Sequence, residues 1–240
     1  MYKLRKIKIF GITFFDTNYK KIKNLLDKKG GLLVLPSGPG MSTIDKDKNY
    51  YNALKNSDIA LFDSGYLCLL LRIFKGLNVK KFSGFAFFKE FLNNLKKEKK
   101  SKILLVEPSK KQSNINKNFL NSKNINNIFQ YVAPLYHKEN IRDYKLLKKI
   151  KKIKPKYVIV NLGGGVQEVL GSYLKNNINY KVSINCSGAA IAYFTKEQAP
   201  LTDFLDKIYL GWLVRIIFNP FVFLPRYLLA FRLIFIIKKL

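Results

Sequence analysis

The sequence predicts an α/β fold, a Rossmann-like and mainly parallel sheet flanked by helices, with a basic apolar helical appendage after it. Up to about Pro200, short apolar runs alternate with longer amphipathic runs, which is typical of β-α units around a parallel sheet. After Pro200 the composition changes to aliphatic and aromatic residues interspersed with arginine and lysine. We therefore expect an α/β domain at residues 1–200 and an appendage at residues 201–240.

The period of the apolar residues predicts each element in turn. Short apolar runs predict strands at Ile7 to Phe15, Leu32 to Leu35, Ile59 to Phe62, Ile103 to Val106, Tyr157 to Asn161 and Val182 to Asn185. Amphipathic runs predict helices at Tyr19 to Leu26, Tyr50 to Asn56, Tyr66 to Phe74, Phe85 to Leu95, Ile115 to Phe119, Tyr144 to Ile153, Gln167 to Lys175 and Ala189 to Phe194. The Lys/Asn/Ser-rich piece from Lys110 to Asn127 predicts a weakly patterned helix and a loop.

The charge balance limits the classes of function. With 44 Lys and Arg against 15 Asp and Glu, the formal net charge is +29, which indicates an anionic partner or surface. The lysines are scattered over predicted helix faces, and no zinc-ligand spacing, RNP-type motif or helix-turn-helix accompanies them, so we expect no specific nucleic-acid partner. Two well-separated cysteines and a start without a signal-peptide pattern predict a reducing, cytoplasmic compartment.

The segment from Ile208 to Leu240 predicts contact with a membrane. Its cations are Arg215, Arg226, Arg232, Lys238 and Lys239, set among almost unbroken apolar side chains. An anionic bilayer surface accepts both kinds of side chain. Prolines and arginines interrupt the window of about 20 apolar residues that a spanning helix needs. We therefore expect peripheral docking on the inner face, with helix breaks near Asn219-Pro220 and Leu224-Pro225. The alternative is a buried terminal helix from Leu228 to Ile237.

Residues that follow the predicted strands are candidates for chemistry, because ligands of parallel sheets bind beyond the carboxyl ends of the strands. The prolines of the segment from Leu35 to Gly40 predict a non-helical turn, in which Ser37 offers a hydroxyl to a ligand or merely shapes the turn. Asp63 ends the third strand. Its carboxylate is either a general base in the crevice or the N-cap of the helix that follows.

Two further strand ends carry small or polar residues. In the segment from Asn161 to Glu168, Gly163 and Gly164 allow a phosphate or sugar to approach the backbone at a helix N-terminus. There Gln167 can hydrogen-bond a sugar or base, while Glu168 binds substrate or is purely structural. After the last strand, Ser187 and Gly188 let a ligand or a neighbouring loop lie close.

The sequence predicts neither a metal site nor a resident cofactor. Its one histidine, His137, lies in a loop and cannot build a zinc site alone. The segment Asp45-Lys46-Asp47 has the spacing of an Asp-x-Asp metal motif, but its Lys/Asn-rich surroundings indicate a solvated helix start. We expect an exposed His137 and metal-independent chemistry.

Taken together, the order of these motifs resembles the WecG/TagA/CpsF family of bacterial glycosyltransferases. The resemblance runs from about Ile7 to Tyr227 and is carried by Asp63-Ser64-Gly65, Lys81-Phe82-Ser83-Gly84, Gly163 to Glu168, Cys186-Ser187-Gly188-Ala189, Ala199-Pro200, Leu210 to Arg215, Asn219-Pro220 and Arg226-Tyr227. It implies an inverting transfer of a sugar, N-acetylmannosamine-like or a related hexose, from a UDP-sugar to a polyprenyl-diphosphate-linked acceptor in cell-surface polysaccharide biosynthesis. It also implies that Asp63 is the catalytic base and that Arg215 and Arg226 hold the diphosphate.

The chain departs from the family pattern at several positions. Ser37 stands in Leu35-Pro36-Ser37 where many members carry Thr-x-Asn, and Lys81 replaces a common arginine, keeping the charge but losing the bidentate fork. Gly211 replaces a glutamate before Trp212, and Val222 and Pro225 occupy appendage positions that often hold arginine. Two other hypotheses stay open: a basic α/β nucleic-acid-binding protein, and a catalytically inactive relative that binds a sugar nucleotide.

Overall fold

The computed structural model describes residues 4–137 and 141–240 and confirms the α/β fold. Its strands are β1 (Arg5–Ile9), β2 (Ile12–Asp16), β3 (Gly31–Val34), β4 (Ile59–Leu61), β5 (Ile103–Glu107), β6 (Ile128–Val132), β7 (Tyr157–Val160) and β8 (Ser183–Cys186). Over these described residues the strands form one eight-stranded sheet in the order β1-β2-β4-β3-β8-β7-β5-β6. The pair β1 and β2 is antiparallel, and the other pairs are parallel.

Helices cover both faces of the sheet and continue into the appendage. The helices are α1 (Tyr19–Lys29), α2 (Gly38–Met41), α3 (Lys48–Lys55), α4 (Gly65–Lys75), α5 (Gly84–Lys97), α6 (Lys110–Asn121), α7 (Tyr144–Ile153), α8 (Val166–Asn177), α9 (Asp203–Lys207), α10 (Gly211–Phe218), α11 (Pro220–Ala230) and α12 (Arg232–Lys238). A 3₁₀ helix, Gly188–Tyr193, follows β8.

Two apolar layers hold the helices against the sheet. Alternate residues of a strand point to opposite faces, so Leu32 contributes to the layer that includes α3, α4, α7, α8 and α12. Leu33, the next residue, contributes to the layer that includes α1, α5 and α6. Both side chains are fully buried. Parallel strands covered on both faces are almost entirely apolar, which explains the short continuous apolar runs in the sequence.

The predicted first strand, Ile7 to Phe15, is in fact a hairpin. β1 and β2 pair with Ile9 opposite Ile12, which leaves Phe10 and Gly11 as a two-residue turn with φ values of 52° and 74°. Positive φ at both turn residues suits the right-handed twist of a hairpin. A phenylalanine at such a position is uncommon, so no residue pattern predicted the turn.

Other differences concern single elements. β6 was not predicted, and α6 is longer than the predicted Ile115 to Phe119. The predicted helix Ala189 to Phe194 is the 3₁₀ helix. The turn predicted to be non-helical contains α2, with Pro39 in its first turn, where a missing backbone N–H costs no hydrogen bond.

The appendage packs back onto the α/β domain. Leu233 and Ile237 of α12 are fully buried in the apolar layer that includes α4. Arg232 donates to the backbone oxygen of Ser42 at 2.7 Å and to the carboxylate of Asp45 at 3.0 Å. The appendage therefore lies against the domain at several points.

The predicted break at Asn219-Pro220 is confirmed, because α10 ends at Phe218 and α11 begins at Pro220. The predicted break at Pro225 is wrong, because that proline lies inside α11. The expectation that charges and prolines interrupt every long apolar window also needs correction. Among the described residues, the stretch Pro220–Lys238 is long and apolar enough to cross a membrane by length and composition, with a mean hydropathy of 1.8.

Candidate functional site

The candidate site lies at the carboxyl ends of three neighbouring strands. Ser37 follows β3, Asp63 follows β4 and Ser187 follows β8, and all three line one cavity of about 610 Å³. The opposite walls come from the appendage, whose contributing residues are Leu201, Asp206, Tyr209, Gly211, Trp212, Arg215, Tyr227, Ala230 and Phe231. The cavity is thus formed between the sheet edge and the appendage.

Asp63 is a half-buried carboxylate on the cavity wall. Its Oδ1 accepts a hydrogen bond from the backbone N–H of Gly84 at 2.6 Å. Gly84 is the first residue of α5, and the dipole at a helix N-terminus favours negative charge. Ser64, and not Asp63, caps α4 by accepting from the N–H of Leu67 at 3.2 Å. The alternative interpretation of Asp63 as a helix cap is therefore wrong.

Opposing effects set the basicity of Asp63. Burial raises the pKa of its carboxyl above the ordinary value of 3.8, while the Gly84 hydrogen bond and the charges of Arg215 and Lys81 lower it. No other hydrogen bond to this carboxylate occurs among the described residues. One oxygen is anchored and the other is left able to accept a proton.

Arg215 brings a positive charge to the same cavity. Its guanidinium donates to the hydroxyl of Tyr193 and, at 3.4 Å, to that of Tyr227. It also lies over the ring of Phe223, 5.9 Å from the centroid. No carboxylate pairs with Arg215 in the described part of the chain, so aromatic groups position the guanidinium without neutralising it.

Lys81 is held by a carboxylate that the sequence analysis missed. Its ammonium donates to Oδ1 of Asp206 at 2.8 Å, and Ser83 donates to Oδ2 at 2.7 Å. Lys81 also lies over the ring of Tyr209, 4.9 Å from the centroid. Asp206 therefore fastens α9 to the segment before α5. An acid in a strongly basic, apolar appendage was the signal that could have identified it.

A second missed residue is Arg72. It lies on α4, is exposed, and lines the cavity. The amphipathic pattern of the helix candidate from Tyr66 to Phe74 predicted a helix, but one sequence does not show which of its faces meets a cavity.

The Gly-rich segment lies apart from this cavity. Gln167 is 4% exposed and donates to Glu168 at 2.9 Å, and its Oε1 accepts from the N–H of Gly188 at 2.8 Å. The Glu168 carboxylate, whose pKa burial raises to about 7, accepts from the N–H of Gly165 at 2.7 Å. Of the two interpretations of Glu168, these contacts favour the structural one, because they shape the start of α8.

Four other predicted ligand residues, Gly163, Gly164, Gly188 and Arg226, also lie outside the cavity wall. Gly163 and Gly164 are exposed, with open space where a side chain would stand. Arg226 is exposed and stacks on Phe223 at 5.8 Å. The structure thus brings Ser37, Asp63, Lys81, Ser187 and Arg215 together and leaves these four elsewhere.

The remaining sequence candidates lie away from the cavity wall. His137 is exposed in the loop after β6, as predicted. Asp47 caps α3 by accepting from the N–H of Tyr50 at 2.9 Å, as expected for a helix start. Over residues 4–137 and 141–240, no three His, Cys, Asp or Glu side chains gather in an arrangement that could hold a metal ion.

The chain matches the sequence model of a known protein family. The sequence model described as the glycosyl transferase WecG/TagA/CpsF family matches residues 7–240. The chain belongs to this family. The protein is therefore a glycosyltransferase, and members of the WecG/TagA/CpsF family are associated with cell-envelope biosynthesis. No curated protein matches the chain.

Proposed function

We propose that this WecG/TagA/CpsF glycosyltransferase moves a hexose, N-acetylmannosamine-like or related, from a UDP-sugar to a polyprenyl-diphosphate-linked sugar. The observation that carries the proposal is the shared cavity of Asp63 and Arg215, a carboxylate with a raised pKa and a cation without a carboxylate partner among the described residues. A base and a phosphate-binding cation in one cavity are the two groups that glycosyl transfer from a nucleotide sugar requires.

The proposed reaction is a single inverting displacement. The acceptor hydroxyl gives its proton to Asp63 while its oxygen bonds to the anomeric carbon of the donor, and the bond from that carbon to the UDP oxygen breaks. The raised pKa of Asp63 strengthens it as a base. Negative charge develops on the departing UDP, where the charges of Arg215 and Lys81 can stabilise it. The proposed mechanism assigns no step to a metal ion.

Two serines fit a substrate role. Ser37 and Ser187 line the cavity. The Ser187 hydroxyl is buried and has no hydrogen-bond partner among the described residues, and a buried polar group of this kind is costly unless a ligand or water pairs with it. Gly163 and Gly164 stay predictions for the nucleotide end of the donor, since their backbone is open to a ligand.

We also propose peripheral docking on the inner face of an anionic membrane. Large apolar side chains of the appendage are exposed, including Phe221 at 92%, Ile217 at 74% and Phe235 at 67%. Exposed apolar surface beside cations is typical of helices that lie in the membrane interface. Docking through this surface would bring the cavity, whose walls the appendage forms, to the level where a lipid-linked acceptor lies.

Asp63→Asn tests the proposed base. The amide keeps an oxygen that can accept from Gly84, so folding and UDP affinity should be nearly unchanged while transfer is lost. Sugar transfer from a panel of UDP-sugars to a short-chain polyprenyl-diphosphate-linked acceptor measures activity, and calorimetric titration measures UDP binding. Glu90→Gln, at an exposed acid of α5, is the control and should stay active. An active Asp63→Asn enzyme would contradict the assignment.

UDP titration, together with nucleic-acid binding and turnover assays, distinguishes the proposed enzyme from a nucleic-acid-binding protein and from an inactive relative. A nucleic-acid-binding protein would show steeply salt-dependent binding to duplex or single strands and no UDP affinity. An inactive relative would bind UDP without turnover in any of these assays.

Phe221→Gln tests the docking surface. Sedimentation with vesicles of phosphatidylglycerol and phosphatidylcholine should show weaker binding, because a phenylalanine moved into an apolar phase contributes about 2 kcal/mol. Leu135→Gln is the matched control, since Leu135 is 91% exposed outside the appendage. Equal losses in both variants would contradict docking through the appendage.

A further inference from the structure

Helix α4 presents an unusual outward face beside the cavity. Its exposed positions include Leu69 at 51% and Ile73 at 61%, with exposed Arg72 between them. These residues have the i, i+3, i+4 spacing of one helix face. Leu69 and Arg72 both line the cavity, so the face begins at the cavity mouth.

The guanidinium of Arg72 is uncompensated. No hydrogen bond or ion pair to Arg72 occurs in the part of the chain that the structure describes, whereas Arg232 pairs with Asp45 at 3.0 Å. Arg72 lies near Tyr209, since its charge lowers the pKa of that hydroxyl against the larger, opposite effect of burial. Tyr209 also lies over the ammonium of Lys81. Arg72, Tyr209 and Lys81 thus line the same cavity as Asp63.

Exposed apolar side chains line the same cavity as Arg72. Trp212 at 45% and Phe231 at 57% exposure line the cavity together with Leu69. A cation between aliphatic and aromatic side chains matches a ligand with a phosphate head and a hydrocarbon chain. The planar guanidinium pairs with phosphate oxygens through two parallel hydrogen bonds.

The position of Arg72 along α4 allows Asp63 and Arg72 to contact different parts of one acceptor molecule. Arg72 comes seven residues after Gly65, which is the first residue of α4 and the second residue after Asp63, and this separation is about 10 Å of helix. One hexose and the first phosphate of a glycosyl diphosphate occupy a comparable length. A reacting sugar hydroxyl at Asp63 therefore leaves the diphosphate of the same molecule near Arg72.

We propose that Arg72 binds the diphosphate of the lipid-linked acceptor and that Leu69 and Ile73 contact the start of its isoprenoid chain. The proposal rests on the proposed function, of which it names the acceptor subsite. It assigns acceptor binding to the α/β domain as well as to the appendage.

Titration with farnesyl diphosphate, a soluble isoprenoid diphosphate, tests the subsite. Arg72→Gln should weaken binding about tenfold or more, the range for a lost hydrogen bond to a charged group. Arg72→Lys should recover part of the loss, because it keeps the charge without the fork. Lys75→Gln, a charge change at an exposed position of α4 outside the cavity wall, should have little effect, and UDP affinity should stay unchanged in all three variants.

Leu69→Gln separates the two parts of the ligand. It should weaken binding of farnesyl diphosphate while leaving binding of inorganic pyrophosphate unchanged, whereas Arg72→Gln should weaken both. Unchanged farnesyl diphosphate affinity in Arg72→Gln, or no binding by the wild-type protein, would overturn the proposal.

Two further results keep neighbouring explanations apart. If Arg72→Gln lowered binding to phosphatidylglycerol vesicles but not to farnesyl diphosphate, Arg72 would be a site for membrane headgroups and the proposal would fail. If Arg72 proved necessary for farnesyl diphosphate binding while no UDP-sugar supported transfer, the proposed function would fail and the diphosphate subsite would stand.

Discussion

Asparagine in place of Asp206 should loosen the appendage from the α/β domain. The Asp206 side chain is 12% exposed and its partner Lys81 is 9% exposed, so the pair is largely shielded from water. Oδ1 accepts from Lys81 at 2.8 Å and Oδ2 from Ser83 at 2.7 Å. The amide of asparagine lacks the charge and can accept through one atom only.

The expected loss is about 3 kcal/mol of the free energy of unfolding, because removing one partner of a buried pair leaves the other charge uncompensated. Asp203→Asn provides a matched control on the same helix. Asp203 pairs with Lys89, but the two side chains are 56% and 46% exposed. An exposed pair contributes at most about 1 kcal/mol, so this variant should stay close to the wild type.

Urea unfolding measures the difference in stability, and limited proteolysis reports whether the appendage is released. Cleavage after residue 200 should be faster in Asp206→Asn and unchanged in Asp203→Asn. The reasoning would be refuted if both variants had the same stability and the same resistance to cleavage, because the buried pair would then contribute no more than the exposed one.

Other changes have defined outcomes. Gly65→Ala should weaken attachment of the appendage, because the added Cβ would lie 2.1 Å from a ring carbon of Tyr209. Gly211→Ala, also at a helix start, is the control, because its added Cβ would lie 3.5 Å from the nearest atom. In the same proteolysis assay, Gly211→Ala should behave like the wild type. Burial raises the pKa of Glu107 from 4.5 to about 7, so the native state holds its proton more tightly than the unfolded state and stability falls as pH rises between these values. Glu107→Gln should remove this decline in urea midpoints measured across that range, and an unchanged decline would contradict the assignment. If Asp63 is the base, the acidic limb of kcat/KM should lie above its ordinary pKa of 3.8, and a limb below that value would argue for another group.

Much of the fold follows from local pattern. The predicted helix Tyr144 to Ile153 has the observed bounds of α7, because its apolar period is clear and Asp143 caps it through the N–H of Leu146 at 2.8 Å. β6 escaped prediction because it lies at the sheet edge, where Gln130 interrupts the apolar run and side chains are only partly buried. Edge strands bury less apolar surface, so their sequences carry a weaker signal.

Some residues of the candidate site could be predicted from the sequence and others could not. Asp63 and Ser37 could be found because strand ends in a parallel sheet meet at one edge. Asp206 stood out only as an acid in a basic appendage, and Arg72 had no such signal. The roles of both residues depend on how the appendage folds back and on which face of α4 it meets. Contacts between residues so far apart in sequence, such as Ser83 and Asp206, leave no local pattern.

The burial of Leu233 and Ile237 in the domain core has a consequence for synthesis in the cell. A nascent chain cannot complete this layer until those residues have left the ribosome, and the cavity, whose lining includes Ala230 and Phe231, cannot be complete before the appendage is made. Products of premature termination would therefore expose apolar surface without gaining activity, and protein quality control would be expected to remove them.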